Sequence, residues 1–254
     1  MPARRFPAMD ARTLARRLHI ERPLKALRRP FLPAHVRADM RDNRLLHELL
    51  DELLEPDSDC VDVGANRGVV LTEMLARAPH GRHVAFEPLP ELARELRTTF
   101  PRVDVHQAAL SDRPGTREFV RVVDDPGWSG FRERPVPNAT RTERIEVAVE
   151  VLDQALPADG RPVLVKIDVE GAELEVLEGA RRTLAEHRPV VVFEHGVGSA
   201  DYYGTEPEHV HDLLTGLGYE ISGLDGDGPY DRAAFGAIFR AGARVNFAAR
   251  PAAG

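Results

Sequence analysis

A doubly wound α/β domain is the fold class the sequence predicts, and three observations predict it. Short apolar runs such as Val163-Leu164-Val165-Lys166-Ile167 and Val190-Val191-Val192-Phe193 alternate with amphipathic stretches of about 10 to 15 residues. The runs are almost continuously apolar, as expected of parallel strands covered on both faces. A chain of 254 residues with 43% apolar and 30% charged side chains has material for a sizeable core, which excludes wholesale disorder.

The elements follow in order. Residues 1–40 read as a basic N-terminal extension broken by Pro23, Pro30 and Pro33, and residues 41–254 as the domain. A helix is expected over 42–55, where Leu45, Leu46, Leu49, Leu50, Leu53 and Leu54 make a wide apolar face before Pro56. A strand at 60–64 empties into Ala65-Asn66-Arg67-Gly68, and a helix follows over 69–78. The rhythm repeats with a strand at 83–87, a helix opened by Pro88 and Pro90, and a strand at 103–110. Two antiparallel strands, 116–123 and 144–152, flank a polar loop holding Trp128, Phe131, Pro135 and Pro137. Then come a strand at 163–168, one helix over 172–187, a strand at 190–193, a helix over 206–217, a strand at 219–224, a Gly/Asp-rich loop, and a last strand at 244–249.

Composition narrows the function. The single cysteine, Cys60, excludes an intramolecular disulfide and a Cys-based zinc cluster within the chain; it reads as a small buried hydrophobe in a reducing, cytoplasmic setting. No run of 18 apolar residues is present, so no transmembrane segment is expected. Residues 1–41 carry eleven Lys/Arg against three Asp/Glu, whereas the remainder carries 23 against 38. That acidic body argues against nucleic acid as a partner.

Ligands of open parallel sheets bind beyond the carboxyl ends of the strands, so the polar residues there are the candidates. Gly64 and Gly68 permit a tight turn feeding a helix N-terminus, but Asn66 and Val69 occupy places where a dinucleotide fingerprint needs glycine. Glu87 follows Gly64 by 23 residues and can accept from both hydroxyls of a ribose on the neighbouring strand end. Asp168 and Glu170 lie two apart at the end of a strand, and Gly171 lets the chain turn into the next helix. His209 and His211, two apart on a helix, read as solvated. Tyr202 and Tyr203 could line an acceptor pocket or pack into the core, and Trp128 could belong to a substrate lid or a hairpin tip.

The string Lys166-Ile167-Asp168-Val169-Glu170-Gly171-Ala172-Glu173 resembles the FkbM family of S-adenosylmethionine-dependent methyltransferases. Asp62-Val63-Gly64-Ala65-Asn66-Arg67-Gly68, Phe86-Glu87-Pro88, Ala109-Leu110-Ser111-Asp112 and Phe193-Glu194-His195 stand around it in family order. The resemblance implies a Rossmann-like, seven-stranded, mostly parallel class I methyltransferase sheet with helices on both faces, an antiparallel last strand and an inserted antiparallel hairpin. It also implies S-adenosylmethionine as cofactor. Asp62, Gly64, Ala65, Asn66 and Gly68 are then expected at its methionine end, Glu87 and the adjoining Pro88 at the ribose, Ser111 or Asp112 at the adenine, and Asp168 near the transferable methyl group.

In the implied sheet the strands ending at Asp168 and at Glu194-His195 are neighbours. Three readings stay open there: a Mg²⁺ or Mn²⁺ site of Asp168, Glu194 and His195; a metal-free base built from His195 and an orienting carboxylate such as Asp168 or Glu170; or plain strand-end hydrogen bonding. The expected reaction is O-methylation of a small-molecule hydroxyl acceptor, a sugar, polyketide or related metabolite. The alternatives are a nicotinamide-dependent oxidoreductase and a non-catalytic binding module, and the sequence leaves a homo-oligomer open.

Overall fold

The computed structural model describes residues 34–136 and 141–252. Contacts divide the chain between Arg44 and Leu45. Residues 1–33 of the expected extension lie outside the described residues, and residues 34–40 are helical. Helix α1 spans Ala34–Leu53 and so begins well before the expected residue 42. From Leu45 onward its Leu45, Leu49 and Leu50 are buried.

The strands and helices of the main layer are β1 (Asp59–Val63), α2 (Val69–Arg77), β2 (His83–Phe86), α3 (Pro90–Thr99) and β3 (Asp104–His106). After an excursion come β7 (Pro162–Ile167), α5 (Glu173–Glu178), α6 (Arg181–His187), β8 (Val190–Glu194), α7 (Pro207–Gly216), β9 (Tyr219–Gly223), α8 (Arg232–Arg240) and β10 (Asn246–Pro251). The seven strands lie in the order β3-β2-β1-β7-β8-β10-β9. β10 runs antiparallel to both its neighbours, while β1, β2, β3, β7 and β8 pair in parallel. This is the sheet of a class I methyltransferase fold. The order reverses between β1 and β7, which opens a crevice at their carboxyl ends.

Each central strand is buried on both faces, so the core divides into two layers. Val61, Val63, Val165, Ile167 and Phe193 pack on one side with Val176, Leu177 and Phe235. Cys60, Leu164 and Val192 pack on the other with Leu49, Leu71, Met74 and Leu96. Cys60 behaves as the small hydrophobe expected, its thiol pushed up to about 12 chiefly by burial.

The excursion differs from expectation. Residues 103–110 do not form one strand: β3 ends at His106, and β4 (Ala109–Leu110) leaves the main sheet to pair in parallel with the end of β6 (Thr142–Glu150). β6 pairs antiparallel with β5 (Gly115–Val122), so the expected hairpin is two strands of a three-stranded sheet, β4-β6-β5. The short helix α4 (Leu152–Ala155) leads back to β7.

The helix expected over 172–187 is two, broken around Gly179 and Ala180. A Cβ on Gly179 would stand 2.3 Å from the Ser111 carbonyl oxygen, so the close approach of β4's end requires glycine there. Helix α8 falls where the sequence suggests only a Gly/Asp-rich loop. Asp231 caps it by accepting from the Ala234 amide, and Phe235 and Phe239, four apart, are buried beneath it. Phe235 meets Phe247 of β10 edge-on at 4.9 Å. Truncation of this ring, Phe235→Ala, should lower the unfolding free energy by about 3–5 kcal/mol in urea titrations, because the cavity opens inside the core.

Candidate active site

The site is organised by register. Asp62 and Lys166 are direct partners across β1 and β7, which puts their side chains on the same face of the sheet. Lys166 Nζ lies 3.5 Å from Asp62 Oδ1 and 3.3 Å from Asp168 Oδ2, and donates to the Gly64 carbonyl at 3.3 Å. Burial by itself pulls the Lys166 ammonium down, but the Asp168 and Asp62 charges outweigh it and hold its pKa above the ordinary value. Asp62 is 1% exposed, and neither of its carboxylate oxygens has a partner at normal hydrogen-bond distance. Its pKa is raised by burial, with the Lys166 charge opposing. Asp168 is more open, its side chain 36% exposed, and its main-chain amide donates to the Val63 carbonyl.

The turn after β1 is a cradle. The amides of Gly64 and Ala65 both donate to the Phe86 carbonyl, and Gly64, Asn66 and Gly68 have φ of 76°, 49° and 73°. A Cβ on Gly64 would stand 1.9 Å from the Asp168 carbonyl oxygen, so this position tolerates no side chain. Gly68 opens α2. The Asn66 amide donates to Glu87 Oε2 and the Leu89 amide to Glu87 Oε1, each at 2.9 Å. Each Glu87 oxygen keeps a second lone pair for a further donor. Pro88 is half-buried between Glu87 and Leu89.

Two absent groups fare differently against this geometry. The glycine cradle, the Asp62 oxygens that make no hydrogen bond, and the free lone pairs of Glu87 suit S-adenosylmethionine. The trio Asp168, Glu194 and His195 does not suit a metal: among the described residues no three His, Cys, Asp or Glu side chains converge to hold one. His195 is 0% exposed and lies against the rings of Phe235 and Phe239, with Glu173 as its acidic neighbour. Glu194 is held well above the usual carboxylate range by burial and by the charges of Asp168, Glu170 and Glu173.

Other expected residues are partly committed elsewhere. β7 stops at Ile167 and Glu170 has a positive φ of 59°, so strand alternation does not carry Asp168 and Glu170 together. Glu170 pairs instead with Arg134, whose guanidinium also donates to the Gly198 carbonyl at 2.9 Å. Burial lifts the Glu170 carboxyl to about 8, helped by the Asp168 charge and opposed by Arg134. The buried Ser111 hydroxyl donates to Glu175 Oε2 at 2.7 Å and accepts from Arg117; Asp112 beside it is exposed. Both lie beyond β4 in the second sheet, whereas the carboxyl end of β3 is followed by Gln107 and Ala108. His209 is exposed as expected, but His211 is buried, with Nε2 3.3 Å from the Tyr230 carbonyl oxygen.

The sequence reading assigned no separate role to Lys166, Glu173 or Arg134. It treated Trp128 and Tyr203 as open, and the structure joins them to the site's rim. A Cβ on Gly127 would stand 3.0 Å from Asn66 Nδ2, the Phe131 amide donates to the Tyr203 hydroxyl at 2.9 Å, and the Arg134 guanidinium lies 5.0 Å over the Trp128 ring. The loop after β5 therefore meets the ends of β1, β7 and β8.

The fold and this crevice define a class I methyltransferase domain. The family description "Methyltransferase FkbM domain" matches residues 62–221, well over half of the chain, and the chain belongs to that family. It is 30% identical over 209 residues to the AMB antimetabolite synthetase AmbE of Pseudomonas aeruginosa, a match covering 67% of this chain and 10% of AmbE. It is 30% identical over 202 residues to the hexuronic acid methyltransferase AglP of Haloferax volcanii, covering 74% of this chain and 75% of that protein. The 2-O-methyltransferase NoeI of Sinorhizobium fredii is 29% identical over 160 residues, covering 56% of this chain and 66% of NoeI. The chain thus spans a tenth of one relative and about two thirds to three quarters of the others. No helix among the described residues is long and apolar enough to cross a membrane.

Burial lifts Glu87 from its ordinary 4.5 to about 7. The folded protein keeps this proton through a window in which the unfolded chain has lost it, so the group lowers stability as pH rises from about 4.5 to 7. Glu87→Gln should flatten that part of the stability–pH curve in denaturant titrations, while weakening S-adenosylmethionine about tenfold in calorimetry through loss of the charged acceptor.

Proposed function

We propose that the chain is an S-adenosylmethionine-dependent O-methyltransferase acting on a hydroxyl of a sugar, polyketide or related small metabolite. The observation that carries the reading is the Asp62–Lys166–Asp168 arrangement beside a turn in which Gly64 admits no side chain. In this reading Asp62 and the turn Gly64, Ala65, Asn66 and Gly68 hold the methionine end, Glu87 with Pro88 the ribose, and the stretch from Gln107 to Asp112 flanks the adenine. The names of AglP and NoeI, one a hexuronic acid methyltransferase and the other a 2-O-methyltransferase, support a hydroxyl of a small polar acceptor.

The bound sulfonium supplies a methyl group already activated for transfer, so the chain's tasks are to hold, to align and to take a proton. Asp62 and Asp168 surround a single ammonium, which leaves this cluster with one net negative charge for a cationic ligand. Asp168, the more open of the two acids, takes the acceptor's hydroxyl proton as the oxygen attacks. The Lys166 ammonium, 3.3 Å from Asp168 Oδ2, fixes the carboxylate's rotamer. Glu170, bound by Arg134, holds the rim in place, and Trp128 and Tyr203 shield the acceptor from water.

The decisive experiment gives the protein S-adenosylmethionine and a panel of sugar and polyketide alcohols, and follows methyl transfer by mass spectrometry. Transfer to an oxygen supports the reading; calorimetric binding of NAD without binding of S-adenosylmethionine overturns it. Asp168→Asn should lower kcat by about 10²- to 10⁴-fold while S-adenosylmethionine still binds.

A further inference from the structure

Behind the crevice lie two polar side chains that the proposed chemistry leaves unused. His195, the residue after β8, is wholly buried; its amide donates to the Val245 carbonyl at 2.7 Å. Its ring lies parallel to Phe235 (centroids 6.1 Å apart, 6° between planes) and is 4.8 Å from Phe239, both on α8. Neither ring nitrogen makes a hydrogen bond of normal length, and Nδ1 stands 3.7 Å from Glu173 Oε2. Glu173 is 1% exposed, and that same oxygen has no hydrogen-bonding partner.

The opposite oxygen of Glu173 is fully engaged. Glu173 Oε1 accepts from the Gly171 amide at 2.9 Å and from the Val169 amide at 3.4 Å. Those amides belong to the turn that follows Asp168, where Glu170 and Gly171 have φ of 59° and 111°. Two left-handed residues in succession, one of them not glycine, persist only where their surroundings enforce them. Glu173 is that enforcement from the inside, because one carboxylate oxygen gathers two amides of the turn. A carboxylate buried to this degree is costly unless its far oxygen also faces a polar group, and His195 is the group facing it.

A wholly buried ring held against two phenylalanines cannot touch an acceptor. We infer that His195 is a positioning residue: through Glu173 it fixes the turn 168–171 and thereby the placement of the Asp168 carboxylate. The kinetic part of this inference rests on the methyl-transfer reading, whereas the clamp itself is measurable with no ligand bound.

The test compares His195→Leu, which keeps bulk but offers no donor, with His195→Gln, which restores one, both in the full chain. In ligand-free protein, amide hydrogen exchange at Gly171 should speed up about tenfold or more in His195→Leu and return close to wild type in His195→Gln. In turnover, His195→Leu should lose about 10- to 100-fold in kcat with acceptor KM and S-adenosylmethionine affinity little changed, and His195→Gln should recover most of the loss. A purely structural histidine predicts instead equal losses in the two variants, tracking their melting temperatures. Unchanged Gly171 exchange in His195→Leu, or His195→Gln performing no better than His195→Leu, overturns the inference. Should His195→Leu fail to fold, His195→Phe, which keeps a ring but offers no donor, decides: Gly171 exchange faster than in His195→Gln supports the inference, and exchange equal to that of His195→Gln overturns it. A wild-type protein with normal exchange protection that neither binds S-adenosylmethionine nor transfers methyl groups refutes the methyl-transfer reading and leaves the clamp standing.

Discussion

One ammonium group holds the crevice together. Lys166 Nζ stands between the carboxylates of Asp62 and Asp168 and also reaches the Gly64 carbonyl, so a single side chain ties β1, its following turn and the end of β7. The acids depend on the ammonium: with Asp62 1% exposed and Lys166 8% exposed, deleting Lys166 leaves a buried acid without its counter-charge. Their proximity follows from register alone. Asp62 faces Lys166 directly across the ladder, and Asp168 comes two residues later on the same strand path.

Around that point the fold supplies a wall on each side. On the sheet side, the turn after β1 is fixed by the Phe86 carbonyl and by Glu87, which gathers the amides of Asn66 and Leu89. On the outer side, the excursion between β3 and β7 sends a loop across the rim. There the hairpin loop is tied to the chain after β7 by Arg134 on Glu170, and to the segment after β8 by the Phe131 amide on Tyr203. The inner side is closed by α8, whose phenylalanines line the wall behind His195. Acids raised in pKa by burial, Asp62, Glu87, Glu170 and Glu194, all cluster at these strand ends.

The central strands and the glycine turn after β1 were legible in the sequence because both depend on local pattern. Apolar runs mark strands buried on two faces, and glycines at 64 and 68 mark a turn with left-handed φ. What was not legible depends on contacts between distant residues. Helix α8 is short, carries Gly236 within it and follows a Gly/Asp-rich loop; its stability comes from Phe235 and Phe239 reaching the core. The break at Gly179 arises from the Ser111 carbonyl more than sixty residues away, and the departure of β4 arises from its pairing with β6. At the site, strand alternation fails after Ile167 because Glu170 adopts a left-handed conformation and meets Arg134. His195 adjoins the correct strand end, yet it lies among aromatic rings. Alternation along β8 puts His195 on the face of Phe193, which packs with Phe235 of α8, a helix that the sequence does not reveal.

In the proposed reading, the turn after β1, closed by Lys166 between its two acids, cradles an adenosyl sulfonium whose reactive carbon faces Asp168. A crystal structure of the protein grown with S-adenosylhomocysteine tests this most directly. Density is expected along the turn 64–68, with ribose hydroxyls on Glu87 and the sulfur on the Asp168 side of the crevice. Density elsewhere on the protein, or a crevice that stays closed at saturating ligand, contradicts it.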